Sequence, residues 1–190
     1  MIEEVQAEAG FAFADLDTFA VTVGPGTFTG LRVGMATARG LAVAADKPLI
    51  GVTTLEAIAW PARAEASDGT AIAAVFDARR NEIYLQCFKK DGSALTEPAL
   101  VSLDDIDAHL PSQPLVCVGT GAGILRDHLE NVGRQGTLST MSPLPDARVV
   151  AEIAAGRTPE SGKLPGPLYL RAPDAKLPKT PLGVPQASLP

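Results

Sequence analysis

The chain is short of the residues that most catalytic and metal sites require. Its 190 residues include two His and two Cys, and only 5% are aromatic. His109 and His128 stand far from the His-x-x-x-His spacing that lets two imidazoles one helical turn apart share an ion, so a solvated or capping role is expected for each. Cys87 and Cys117 have no CxxC spacing, which argues against a zinc ribbon or a disulfide scaffold. Cations are also few. With 16 Lys and Arg against 22 Asp and Glu the formal charge is −6, and the pI is near 4.9. That balance argues against a protein that grips nucleic acid alone, because neutralising phosphates needs clustered Lys and Arg. No run approaches ~18 uninterrupted apolar residues, so no membrane span is expected. The opening Met1-Ile-Glu-Glu reads as an acidic helix rather than a leader, and a cytoplasmic protein is expected.

What is present is an ordinary globular composition, 46% hydrophobic and 20% charged, arranged as alternating strands and helices. Ile2 and Val5 lie on one side of a first helix and Glu3, Glu4 and Glu8 on the other, with Gly10 ending it. "FAVTV" (19–23) reads as a buried strand, a helix follows over about 29–45, and "PLIGV" (48–52) is the next strand. "TTLE" (53–56) is a capping box, with the Thr53 hydroxyl accepting the Glu56 amide and the Glu56 carboxylate reaching back. The helix begun there is expected to break at Pro61. This βαβα order implies a parallel strand pair. After the linker "RAEASDG", segments 70–78 and 82–88 predict a hairpin across "RRN", and 94–101 a further strand. Ser102 should cap a helix over 102–110. "PLVCVGTGAG" repeats the strand-into-glycine theme before a helix from Ala122, and Asp146 caps one more. From Thr158 onward prolines dominate, and "PLYLR" (167–171) is the only ordered-looking piece.

The segment "TVGPGTFTGLRVGMATARG" (22–40) poses the functional question. A Walker A loop needs G-x-x-x-x-G-K-[ST], since the Lys meets the β/γ-phosphates and the hydroxyl meets magnesium. Here Gly24 to Gly30 is one residue too long, and Leu31-Arg32 replaces the Lys-Ser/Thr pair. The dinucleotide fingerprint fails by one residue as well. The favoured reading is structural: Gly24, Gly26 and Gly30 form a turn with unusual backbone angles, Thr27 or Thr29 caps the helix, and Gly34 and Gly40 let it lie near the sheet. Asp77, Arg79 and Glu82 around the hairpin could pose as acid–base groups, but a charged turn is the simpler reading. Lys89 and Lys90 read as an exposed turn.

"VGPGTFTGLRVGMATARGLAVAADKPLIGVTTLEAIA" closely resembles the hallmark segment of the bacterial tRNA threonylcarbamoyladenosine biosynthesis family TsaB, also called YeaZ. "VFDARRNEIYL" (75–85), "VGTGA" (118–122) and "PLYLR" are similar to that family's layout. The resemblance implies the actin-like ATPase fold, two α/β lobes each built on a ribonuclease-H-like sheet. Residues 1–66 would form the first lobe, 67–175 the second, and 176–190 a Pro-rich tail. Members begin with a β-hairpin carrying an "AIDT"-like stretch, so an N-terminally truncated first lobe is expected here. The resemblance further implies a non-catalytic scaffold with no catalytic residues, cofactor or metal. It would support a catalytic paralogue, TsaD, alongside the ATPase TsaE, with tRNA engaged only indirectly. A homodimer is an alternative assembly. An autonomous actin-fold enzyme, a glycoprotease-like peptidase or a phosphotransferase, is the competing function.

In such a scaffold, helices of the first lobe pack against those of the paralogue. The helix over 29–45 carries apolar residues on both faces, as expected when one side meets its own sheet and the other a partner. Leu31, Val33, Met35, Ala38, Leu41 and Ala42 are the expected interface, with Gly34 and Ala36 permitting close approach and Arg32 and Arg39 rimming it.

Overall fold

The structure is a computed structural model and describes residues 2–159 and 164–172. Helix α1 (Ile2–Ala9) stops at Gly10, whose left-handed φ of 71° lets its N–H return to the Gln6 carbonyl. Strand β1 (Phe19–Thr22) pairs in parallel with β2 (Leu49–Val52) through helix α2 (Phe28–Ala44). Side chains alternate along this pair. Ala20, Ile50 and Val52 pack toward helix α5 (Ala147–Ala155), whereas Val21 and Val23 pack with Leu31 and Met35 of α2. The small sheet is therefore covered on both faces.

Helix α3 (Thr54–Ala62) starts at Thr53, whose hydroxyl accepts the Glu56 N–H at 3.0 Å. The reciprocal half of the expected capping box is absent, because the Glu56 carboxylate pairs with Arg157 instead. Pro61 does not break α3 but sits in its last turn, where only one carbonyl loses its partner. Leu55, Ile58, Ala59 and Ala62 then bury α3 against Ile72, Ala74, Val116 and Val118 of a second sheet.

That sheet comprises β3 (Ala71–Arg79), β4 (Glu82–Phe88), β5 (Ala99–Ser102), β6 (Leu115–Val118) and β7 (Gly136–Leu138), in the order β5-β4-β3-β6-β7. Strand β4 runs antiparallel to β3 and β5, while β3, β6 and β7 are parallel. Its other face buries Ile83, Leu85, Val101, Ile106, Leu125 and Leu129, the last two from helix α4 (Ala122–Asn131). Strand β5 is shorter than expected: Ala94 makes only an isolated bridge to Phe88, and Pro98 has no N–H to donate just before pairing begins at Ala99. The helix expected over 102–110 is a tight 3-10 helix, Leu103–His109, capped by Ser102 onto the Asp104 N–H at 3.3 Å. Its three aspartates compete for backbone hydrogen bonds and are poor α-helix formers. The tail expected over 176–190 lies outside the described residues.

Candidate partner-docking site

The glycine loop is built by backbone contacts. Gly24 adopts φ 111°, its carbonyl accepts the Thr54 N–H at 2.7 Å, and an added methyl group would stand 2.9 Å from the Leu168 carbonyl oxygen. A methyl on Gly30 would lie 2.8 Å from the Thr27 hydroxyl. Thr27 is the N-cap of α2, yet its hydroxyl makes no capping bond, contrary to expectation. Gly26, Thr27 and Gly30 line a cleft of about 580 Å³ together with Asp77 and Arg79. Thr54 also lines it and is buried.

Segment 164–172 crosses this region as a strap. The Leu168 N–H donates to the Val23 carbonyl at 2.7 Å, and its side chain joins Val23, Leu31 and Met35. Arg39 donates to the Pro165 carbonyl. The Tyr169 ring stacks on Phe28 with centroids 5.6 Å apart, the Arg32 guanidinium lies 4.0 Å over Phe28, and Arg32 Nε donates to the Tyr169 hydroxyl at 3.2 Å. Arg171 donates to the Ala78 carbonyl and pairs with Glu82, each at 2.8 Å. Sequence reasoning marked "PLYLR" as ordered but gave no sign that it ties α2 to the hairpin.

The six expected interface residues of α2 divide between its two sides. Leu31, Met35 and Ala42 are buried in this chain's own core, because Leu31 and Met35 face Val23 and the strap. They are corrected from partner contacts to core residues. Ala38 and Leu41 are half-buried, and Val33 is 61% exposed. The outward side of α2 is Val33, Ala36, Thr37, Gly40, Val43 and Ala44, a surface without charge on which Val43 is 71% exposed. Gly34 and Gly40 are also exposed and would meet nothing within 4 Å if given a methyl group. They do not bring α2 to the sheet, as first expected, but flatten its solvent side. Helix α1 buries none of its residues.

The charged turn engages itself. Asp77 accepts the Arg79 N–H at 2.8 Å and pairs with its guanidinium at 3.3 Å, and Glu82 is held by Arg171. Arg79, Arg80 and Asn81 adopt left-handed φ values of 64°, 57° and 62°. Lys90 pairs with Asp68 at 2.9 Å. His128 meets Asp107 at 3.1 Å, and His109 is exposed in the 3-10 helix. No group of three or more His, Cys, Asp or Glu that could hold a metal occurs among the described residues. Cys87 and Cys117 flank Ala73 on neighbouring strands, and burial pushes both thiols up to about 12. No helix of the described residues is long and apolar enough to cross a membrane.

Comparison with known proteins completes the picture. The family described as TsaD, tRNA N6-adenosine threonylcarbamoyltransferase, matches residues 1–123. The chain is 35% identical over 95 residues to the tRNA threonylcarbamoyladenosine biosynthesis protein TsaB of Escherichia coli, covering 50% of this chain and 41% of that protein. It is also 35% identical over 170 residues to an uncharacterized protein of Mycobacterium tuberculosis, covering 90% of this chain and 71% of that one. A crystal structure of an uncharacterized Pseudomonas aeruginosa protein with similarity to peptidase YeaZ superposes with TM-score 0.72 at 27% identity, covering 90% of this chain and 81% of that chain. The chain thus spans about two-fifths of the length of the E. coli relative. The fold is of the actin-like ATPase class, with ribonuclease-H-like sheet order in the larger sheet. Within the TsaD-related proteins, the chain belongs to the TsaB (YeaZ) family.

Proposed function

We propose that this chain is a non-catalytic partner subunit in tRNA threonylcarbamoyladenosine synthesis, docking on a TsaD-type catalytic paralogue in the cytoplasm through the outward side of α2. The observation that carries this reading is the uncharged side of small and β-branched residues from Val33 to Ala44, left in solvent by a helix whose opposite side already fills its own core. Small residues admit close helix–helix approach, and exposed valines there gain by burial. The only acid–base constellation noted in the sequence, Asp77, Arg79 and Glu82, is occupied by turn-internal and strap ion pairs, which favours a subunit over a catalyst. A TsaE-type ATPase and indirect engagement of tRNA complete the proposed assembly, and a homodimer through the same helix is the competing use of this surface.

Val33→Glu together with Val43→Glu should place two charges on the docking side while leaving the core intact. Affinity capture of the co-expressed paralogue is expected to fall at least tenfold, with the circular dichroism spectrum retained. Undiminished capture by the double variant would refute the reading.

A further inference from the structure

The cleft beside the glycine loop is lined by polar groups that nothing among the described residues uses. It encloses about 580 Å³ between the start of α2 and the end of β3, within the size range of small-molecule sites. Thr54 of α3 forms part of its wall and is 8% exposed. Its N–H is held by the Gly24 carbonyl, but its hydroxyl makes no hydrogen bond among the described residues. The half-buried Thr22 and Tyr84 line the same cleft from β1 and β4, and their hydroxyls are likewise without a partner there. A buried hydroxyl costs free energy unless it is hydrogen-bonded. Three of them, from three elements around one space, call for an occupant that both donates and accepts.

The start of α2 opens on this cleft. Thr27 and Gly30 line it, the Thr27 hydroxyl makes no cap, and the N–H groups of Phe28, Thr29 and Gly30 have no partner among the described residues. The first turn carries no acidic side chain to occupy them. Free amides at the positive end of a 17-residue helix attract an oxyanion. The Asp77 carboxylate in the lining does not cancel that attraction, because Arg79 pairs with it at 3.3 Å. Among the described residues no other Lys, Arg, Asp or Glu lines the cleft, so a chain of phosphates would go unneutralised. We propose that the cleft binds a small hydroxylated molecule with one oxyanion group, a carboxylate or a phosphate monoester. The oxyanion meets the amides of α2, and the ligand's hydroxyls meet Thr22, Thr54 and Tyr84. This site is separate from the outward side of α2 and does not rest on the docking reading.

Isothermal titration calorimetry of the full chain with D-glycerate, glycerol 3-phosphate, propionate and ATP tests the proposal. Saturable binding of D-glycerate or glycerol 3-phosphate is expected, and the tighter of the two identifies the oxyanion. Propionate, which lacks hydroxyls, should bind at least tenfold more weakly than D-glycerate. Thr54→Val keeps the shape and removes the hydroxyl, and should weaken binding about fivefold to tenfold. Thr27→Asp gives α2 a carboxylate cap of its own. It should abolish binding while keeping or raising the melting temperature, an outcome that misfolding does not produce. No saturable binding of either probe, propionate binding as well as D-glycerate, ATP binding more tightly than both, or wild-type affinity in either variant would overturn the proposal.

Discussion

At the scale of single residues, the glycines of this chain separate into two kinds that their sequence context does not distinguish. Gly24 at φ 111° is pressed against the strap, and Gly119 at φ 109° would place a methyl group 2.2 Å from the Val75 carbonyl oxygen. Gly34, in open space on α2, needs neither the angle nor the room. Gly24→Ala is expected to cost about 2 kcal/mol and Gly119→Ala more than that, whereas Gly34→Ala should stabilise by about 0.5–1 kcal/mol. Thermal unfolding of the three variants checks the order. The two cysteines carry a second expectation. Burial holds the neutral thiols, and both folded values lie above the unfolded one, so this stabilisation is present below about pH 8.5 and is lost as pH rises toward 12. Urea midpoints should decline above that lower pH, and a disulfide-exchange reagent should label neither thiol until the chain unfolds. Labelling of the native protein would contradict this.

At the scale of elements, caps and periodicity were readable and closures were not. Thr53, Ser102 and Asp146 cap where their sequence positions indicated, because a side-chain oxygen beside a helix start has one local partner to find. Leu31, Met35 and Ala42 mark the side of α2 that enters the core, since 3.6-residue spacing fixes direction. Apolar character alone did not say which of the two apolar sides meets the chain's own strands, and Val33, expected beside Leu31 and Met35, lies in solvent instead. Strand β7 went unnoticed, as three residues of "GTL" carry no period. One long-range cap was equally hidden: Glu65, at the end of the α3 region, accepts the Thr140 N–H at 3.0 Å across 75 residues of sequence. Burial raises the Glu65 carboxyl, but hydrogen bonds from Ser139 and Thr140 outweigh it and leave the group below its ordinary value. The stability this adds is present above about pH 4.3 and is lost as pH falls below it. Glu65→Gln should therefore lower the melting temperature at pH 7, and the gap from wild type should close as the solution is acidified. A gap that persists at pH 3 would rule out the carboxylate as its source.

At the scale of the whole molecule, the strap joins what the chain order separates. Leu168 seals Leu31 and Met35, and Arg171 fastens the β3–β4 turn, so one short segment spans both sheets. Leu168→Ala should cost about 2 kcal/mol. It should also raise amide hydrogen exchange in α2 and β1 more than in β3 to β6, and uniform acceleration would show that the strap is not local to the small sheet. The small sheet is discontinuous in sequence: its strands lie within residues 19–52, but the helix covering its second face and the strap sealing its first come from residues 147–172. This arrangement has a consequence for biosynthesis. A ribosome delivers β1 and β2 more than 90 residues before α5 begins at Ala147, while β3 to β7 emerge as a nearly self-contained set. The larger sheet is therefore expected to close first, and β1 and β2 must wait, half-covered, for α5. Nascent chains stalled before α5 clears the exit tunnel should be cut by protease around residues 19–52 while the 71–138 region resists.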